Sequence, residues 1–186
     1  MSKVNLGANA YIYPMPVTLV GANVEGRANF LAVGWVMRVN MKPPLLAVAL
    51  NKAHFTPKGI RENQTFSVNL PSENLVEKTD YCGIKSGKDV DKSTLFNNFY
   101  EKLETTPMIQ ECPVNMECKV TKTFDTPTHD VFVGDIVSTH CEDSALVDGT
   151  VDFGKVKPFV FSLSDKGYWK TGDRIADARE IGKSIG

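Results

Sequence analysis

One stretch constrains this chain more than any other. Two apolar runs, residues 30–39 and 45–50, are parted by Lys42-Pro43-Pro44, and the second empties into Asn51-Lys52-Ala53-His54-Phe55-Thr56-Pro57. Residues 45–50 (Leu-Leu-Ala-Val-Ala-Leu) are apolar throughout, the pattern of a short strand buried on both faces. Proline lacks the amide that would continue a ladder, so Pro43-Pro44 separates the runs into distinct elements. Past the strand, Thr56-Pro57 reads as a helix start, with Thr56 as N-cap and Pro57 in the first turn. Free amides and partial positive charge gather at such an end, and Asn51, Lys52 and His54 lie on its approach, a setting suited to a phosphate. Gly34 beside Trp35 in the preceding run lets a flat ligand approach the backbone. Together these point to a phosphorylated aromatic cofactor rather than a nucleic acid.

The rest of the chain reads as strands with few helices. Residues 17–22, 65–70, 114–124, 131–139 and 159–163 carry β-type patterns, and residues 23–26 read as a turn. In 114–124 the alternation places Met116, Cys118 and Val120 on one face. Helices are expected over 56–62, over 72–79 behind Ser72, and over 173–181 between Asp173 and Gly182. Residues 83–103 are polar and punctuated, hence a loop with at most one helical turn. At 186 residues this is one domain spanning 1–186, with a closed or nearly closed antiparallel barrel expected ahead of a sandwich or an α+β sheet.

Several function classes drop out. A formal net charge of −1 leaves no electrostatic footprint for nucleic acid or an anionic membrane. No apolar run nears the ~20 residues of a membrane span and no signal-peptide core opens the chain, so cytoplasmic residence is the expectation. GxGxxG, Walker and GxSxG patterns are missing, which disfavours Rossmann, NTPase and serine-hydrolase chemistry. The four cysteines, Cys82, Cys112, Cys118 and Cys141, form no CxxC pair and read as structural thiols, with Cys82 expected in a loop and exposed. His140 and Cys141 are strand neighbours pointing to opposite faces, so they make no dyad. His129, at a strand mouth after Thr126-Pro127, is either a strand-end cap or a group meeting a flavin or nicotinamide.

Taken in order, several motifs resemble the flavin reductase-like family of FMN-binding split barrels over residues 14–169. They are Asn29, Gly34-Trp35-Val36-Met37-Arg38, Lys42-Pro43-Pro44, Asn51-Lys52, His54 and Thr56, then Phe66-Ser67-Val68-Asn69, residues 86–92, and Thr128-His129 with Val133-Gly134. The resemblance implies a six-stranded antiparallel Greek-key split barrel with peripheral helices, a homodimer, and non-covalent FMN near the subunit interface. It implies that Asn29 and Gly34, Trp35, Val36, Met37 and Arg38 face the flavin ring and ribityl chain. Asn51, Lys52, His54 and Thr56 would hold the phosphate, with Ser86 and Lys92 reaching in from the polar loop and His129 and Phe161 beside the flavin. The implied activity is that of an FMN oxidoreductase. NADH or NADPH, or a redox partner protein, reduces the flavin, and the electrons pass to free flavin, ferric iron or a partner protein. The alternatives are an electron carrier without nicotinamide turnover and a small-molecule-binding barrel.

Overall fold

The structure is a computed structural model and describes residues 1–185. Its centre is a seven-stranded sheet built from β1 (Thr18–Val24), β2 (Arg27–Val33), β3 (Val36–Asn40), β4 (Leu45–Asn51), β5 (Thr65–Leu70), β6 (Val114–Asp125) and β7 (His129–Cys141). The strand order is β2-β1-β5-β6-β7-β4-β3, and every pairing is antiparallel. The first and last strands in that order follow one another in sequence, joined only by Gly34-Trp35. A flat sheet cannot place its two edges two residues apart, so the sheet must roll up. β2 and β3 nevertheless do not pair along their length, which leaves the barrel split rather than closed.

The strand expected over 30–39 is therefore two strands on opposite edges, giving seven where six were anticipated. Hydrophobicity runs on through the break, which is why periodicity alone missed it. The turn at 23–26 forms as expected: Glu25 and Gly26 both take positive φ, 53° and 77°, the requirement of a tight hairpin whose twist matches its strands.

The rolled sheet encloses Val20, Ala22, Leu31, Val33, Leu46, Val48, Leu50, Phe66, Val68, Cys118 and Phe132, with Ile60 entering from α1 (Thr56–Asn63). In β4 the facing residues Leu46, Val48 and Leu50 are buried, and Ala47 on the other face is buried too, as the unbroken apolar run required. Gly134 sits where a Cβ would lie 2.7 Å from the Phe66 ring, so one of the large core phenylalanines lies against a glycine that also marks a bulge between β6 and β7. The outer face of β1–β2 is covered by α2 (Val76–Ile84) and the segment after it, around Leu19, Phe30, Leu75, Phe96, Ile109 and Cys112.

Three local expectations are corrected. Cys82 is in α2 and fully buried, because the helix starts later and runs further than Ser72 implied. The segment 173–181 forms no α-helix; only a 3-10 turn, Ile181–Ile185, follows it. Nothing covers Ile175 or Ile181, and a short helix with no apolar face to bury is marginal in water. A strand missed by sequence, β9 (Gly167–Lys170), pairs with β8 (Phe159–Ser162) beside Met15–Pro16 in a small second sheet. No helix among the described residues is long and apolar enough to cross a membrane.

Candidate functional site

The end of β4, the start of α1 and the β6–β7 turn meet at one corner of the barrel. Asn51 shapes the approach to the helix: its Oδ1 accepts from the Ala53 amide at 2.9 Å and its carbonyl from the His54 amide at 3.0 Å. The helix then starts at Thr56, with Phe55 rather than Thr56 as N-cap and no side-chain cap. The expected N-cap role of Thr56 is thus corrected, and its hydroxyl is used otherwise: Asn29 Nδ2 donates to Thr56 Oγ1 at 2.8 Å, both residues being buried. Among the described residues the amides of Phe55 and Thr56 have no acceptor within the chain, and Pro57 has no amide to offer. Two donors at a helix N-terminus are left without an acceptor, the arrangement an anion satisfies.

Basic side chains surround this opening. The His54 imidazole is held below its ordinary value, first by desolvation and then by the nearby charges of His129 and Lys92. Lys88 reaches back to the Ala53 carbonyl at 3.4 Å. Lys52 donates its backbone amide to the Thr128 carbonyl and pairs its ammonium with Asp125 at 2.5 Å. On the side away from the helix, the Trp35 indole lies stacked on the His129 ring, centroids 4.7 Å apart and planes 29° from parallel. Thr128 Oγ1 shares a hydrogen bond with His129 Nδ1 at 2.8 Å, leaving Nε2 as the free nitrogen. Half of Trp35 remains exposed, so the stack presents an open aromatic edge.

The structure thus brings together Asn29, Trp35, Asn51, Lys52, His54, Thr56 and His129. Ser86 is adjacent, but its hydroxyl is engaged locally by the Lys88 amide at 3.2 Å. Lys92 is 3% exposed and its ammonium is tied to the carbonyls of Phe30 and Cys82 at 2.9 and 2.8 Å, so it acts on the site as a buried charge. Val36, Met37 and Arg38 turn instead into a groove of about 1050 Å³, whose walls include Pro16, Leu46, Met116, Phe153 and Phe159. Gly34 lies at its back, against Met15 and Pro16. Trp35 therefore stands between a polar, cation-rich end and an apolar groove. Phe161 is not part of either: it packs on Tyr168 in the small sheet.

Two contributors went unread in the sequence. Gly87 presses on the site so closely that a Cβ there would lie 2.0 Å from Asn29 Oδ1 and 2.8 Å from Phe55 Cδ1. A glycine between Ser86 and Lys88 was the available signal. Arg61 pairs with Asp130 under the His129 backbone, and its place in the fold gave no sequence clue.

An antiparallel split barrel with an anion-ready helix end beside an aromatic stack defines a class of small flavin- or nucleotide-handling domains. The chain is matched over residues 10–158 by the model of the flavin reductase like domain, and it belongs to that family. Among solved structures it is similar to flavoredoxin from Methanosarcina acetivorans, at 49% identity over 100% of both chains with a TM-score of 0.98. It is also similar to flavoredoxin of Desulfovibrio vulgaris (Miyazaki F), at 32% identity over 97% of this chain and 100% of that one, TM-score 0.88. Among curated proteins, an FMN reductase (NADH) of Pseudomonas syringae pv. syringae is 27% identical over 131 residues, 70% of each chain. The split-barrel expectation is borne out by these structures.

Proposed function

We propose that this protein holds FMN non-covalently and works as a flavin-dependent oxidoreductase and electron carrier. The observation that carries this reading is the meeting of two unpaired helix amides with Lys88 and the buried Lys92, one stacked ring pair away from an apolar groove. That arrangement fits a phosphate at one end and a planar ring at the other. The amides of Phe55 and Thr56, the Thr56 hydroxyl and His54 would hold the phosphate, with the buried charge of Lys92 behind them. Trp35 and His129 would flank the ring system, and Val36, Met37 and Arg38 would follow the ring edge.

FMN, when bound, supplies the capacity to take a hydride and release single electrons. The chain supplies position and field. Asn29 fixes Thr56 so that its hydroxyl hydrogen is free to point at an acceptor. The Lys92 ammonium, desolvated and without a carboxylate partner among the described residues, biases the site toward negative charge. No side chain here needs to act as general acid or base, since hydride transfer moves no separate proton.

We take NADH or NADPH as the small-molecule donor, a reading supported by the nicotinamide-dependent relative; a redox protein is the competing donor, supported by the flavoredoxin neighbours. A homodimer accounts for the wide apolar groove and for the exposure of Trp35, Met37 and Met41 on one edge. Four free thiols and no disulfide suit a reducing, cytoplasmic setting. The test is direct: the purified protein should be yellow, dimeric by light scattering, and carry about one FMN per chain. Stopped-flow bleaching by NADH or NADPH identifies an enzyme, and bleaching only by a reduced redox protein identifies a carrier. A colourless protein that does not quench added FMN fluorescence refutes the proposal.

A further inference from the structure

The corner that carries His129 is braced from behind by charged groups that touch neither ring. Arg61, on the last turn of α1, pairs with Asp130 at the start of β7, and Asp130 is almost wholly buried. Lys52, just past β4, pairs with Asp125 at the end of β6. Asp125 and Asp130 are cross-strand partners whose carboxyl groups lie within hydrogen-bonding reach of each other, between Lys52 and Arg61, and Asp125 is held below the usual carboxylate range chiefly by Lys52. The turn between them is closed by Thr126, whose amide and hydroxyl both donate to the His129 carbonyl, at 3.0 and 2.7 Å. His129 and Asp130 point to opposite faces of β7, so clamping one from below fixes the ring of the other above.

From this placement we infer that Arg61 and Asp130 are positioning residues for the aromatic wall of the flavin site, locking the β6–β7 turn to α1 so that His129 stays stacked on Trp35. Without the guanidinium, the buried Asp130 carboxyl loses its cationic partner, and a buried group left unpaired is costly to hold in place. The turn then relaxes away from the helix, the stack opens, and Lys52 is drawn further toward the acidic pair. The Arg61 side chain is about half exposed, so removing it leaves no large cavity and the fold survives. The inference rests on the FMN reading only for the identity of the ligand.

The chain has two tryptophans, so Trp169→Phe leaves Trp35 as the sole reporter. In that background, without FMN, Trp35 fluorescence should be quenched by the stacked His129 ring, and His129→Leu should relieve that quenching. Arg61→Gln and Asp130→Asn should each relieve this quenching and weaken FMN binding about tenfold. The double variant should be no worse than either, and Arg61→Lys should restore most of both signals. A lowered melting temperature with quenching and FMN affinity unchanged overturns the inference and leaves the pair a plain structural brace. Should Arg61→Gln fail to fold, Asp130→Asn reads the same quantities, and wild-type quenching and FMN affinity in it overturn the inference equally. Failure of the unmutated protein to bind FMN refutes the functional proposal instead, while the Trp35 quenching still decides the role of Arg61.

Discussion

Thr56→Val tests the geometry of the site at its narrowest point. Thr56 is 1% exposed and Asn29 4%, so valine removes the acceptor from a buried Asn29 Nδ2. The cost is a lost hydrogen bond plus a stranded buried donor, about 2 kcal/mol within a range of about 1–3. Valine keeps the shape and β-branching of threonine, so cavity and helix-propensity terms are small. For a chain of this size about 2 kcal/mol corresponds to a drop of roughly 4–8 °C in melting temperature. The measurement is urea unfolding of the apo protein, reading a shifted midpoint at unchanged slope. Thr56→Ser should keep most of the stability, and Asn29→Leu with Thr56→Val should recover part of the loss because both polar partners are then gone. A separate titration should show FMN affinity falling more than riboflavin affinity, since only FMN has a phosphate for the hydroxyl to meet. The reasoning is refuted if Thr56→Val is as stable as wild type, or if Thr56→Ser loses as much as Thr56→Val. Equal losses for the two flavins would confine Thr56 to the fold.

Three further outcomes follow from the same contacts. Gly87→Ala forces a methyl against Asn29 and Phe55, so it should cost about 1–3 kcal/mol and weaken FMN binding, whereas Gly172→Ala, with nothing within 4 Å, should change neither melting temperature nor affinity. His54 is held below its ordinary 6.5, so the folded state favours neutral imidazole. Its contribution is complete above roughly pH 6.5 and is lost as the pH falls through the depressed folded value. The apo protein should therefore lose urea resistance between pH 7.5 and 5.5, with a shallower slope in His54→Asn. Ellman's reagent on the native protein should modify Cys141 rapidly and the other three thiols only on unfolding: Cys82 is pushed up to about 11 by burial, and Cys112 and Cys118 are raised further by the same cause.

Much of the sheet was legible because its chemistry is local. The run 45–50 lies buried as β4, the alternation in 114–124 places Cys118 in the core, and Pro43-Pro44 separates β3 from β4. What escaped was set by distant partners. The break at Gly34-Trp35 has no hydrophobic signature, because both β2 and the start of β3 remain apolar. It exists because the sheet must bring its two edges to one place. The segment 173–181 has the residues of a helix and caps at both ends, yet nothing packs against it, and propensity alone does not hold so short a helix. Cys82 appeared to stand in a loop because the polar composition after it hides a helix whose buried face is only Thr79 and Cys82.

At the site, the sequence placed the right residue types around the α1 N-terminus and misjudged how each is used. Thr56 was read as a cap because Thr-Pro at a helix start has that meaning locally; in the structure its oxygen is claimed by Asn29, 27 residues away. Lys92, expected to reach in from the polar loop, is instead held inside the protein by the Phe30 and Cys82 carbonyls. Both differences have the same direction. A side chain expected to reach a ligand from a mobile position is instead fixed by the core before any ligand arrives. A phosphate entering the α1 N-terminus would meet donors already oriented, with little side-chain entropy left to lose. That pre-organisation depends on Asn29, Gly87 and Arg61, none of which carries a phosphate-binding signature. Their substitution, more than that of the exposed His54, separates a site held in shape by the barrel from one assembled around its cofactor.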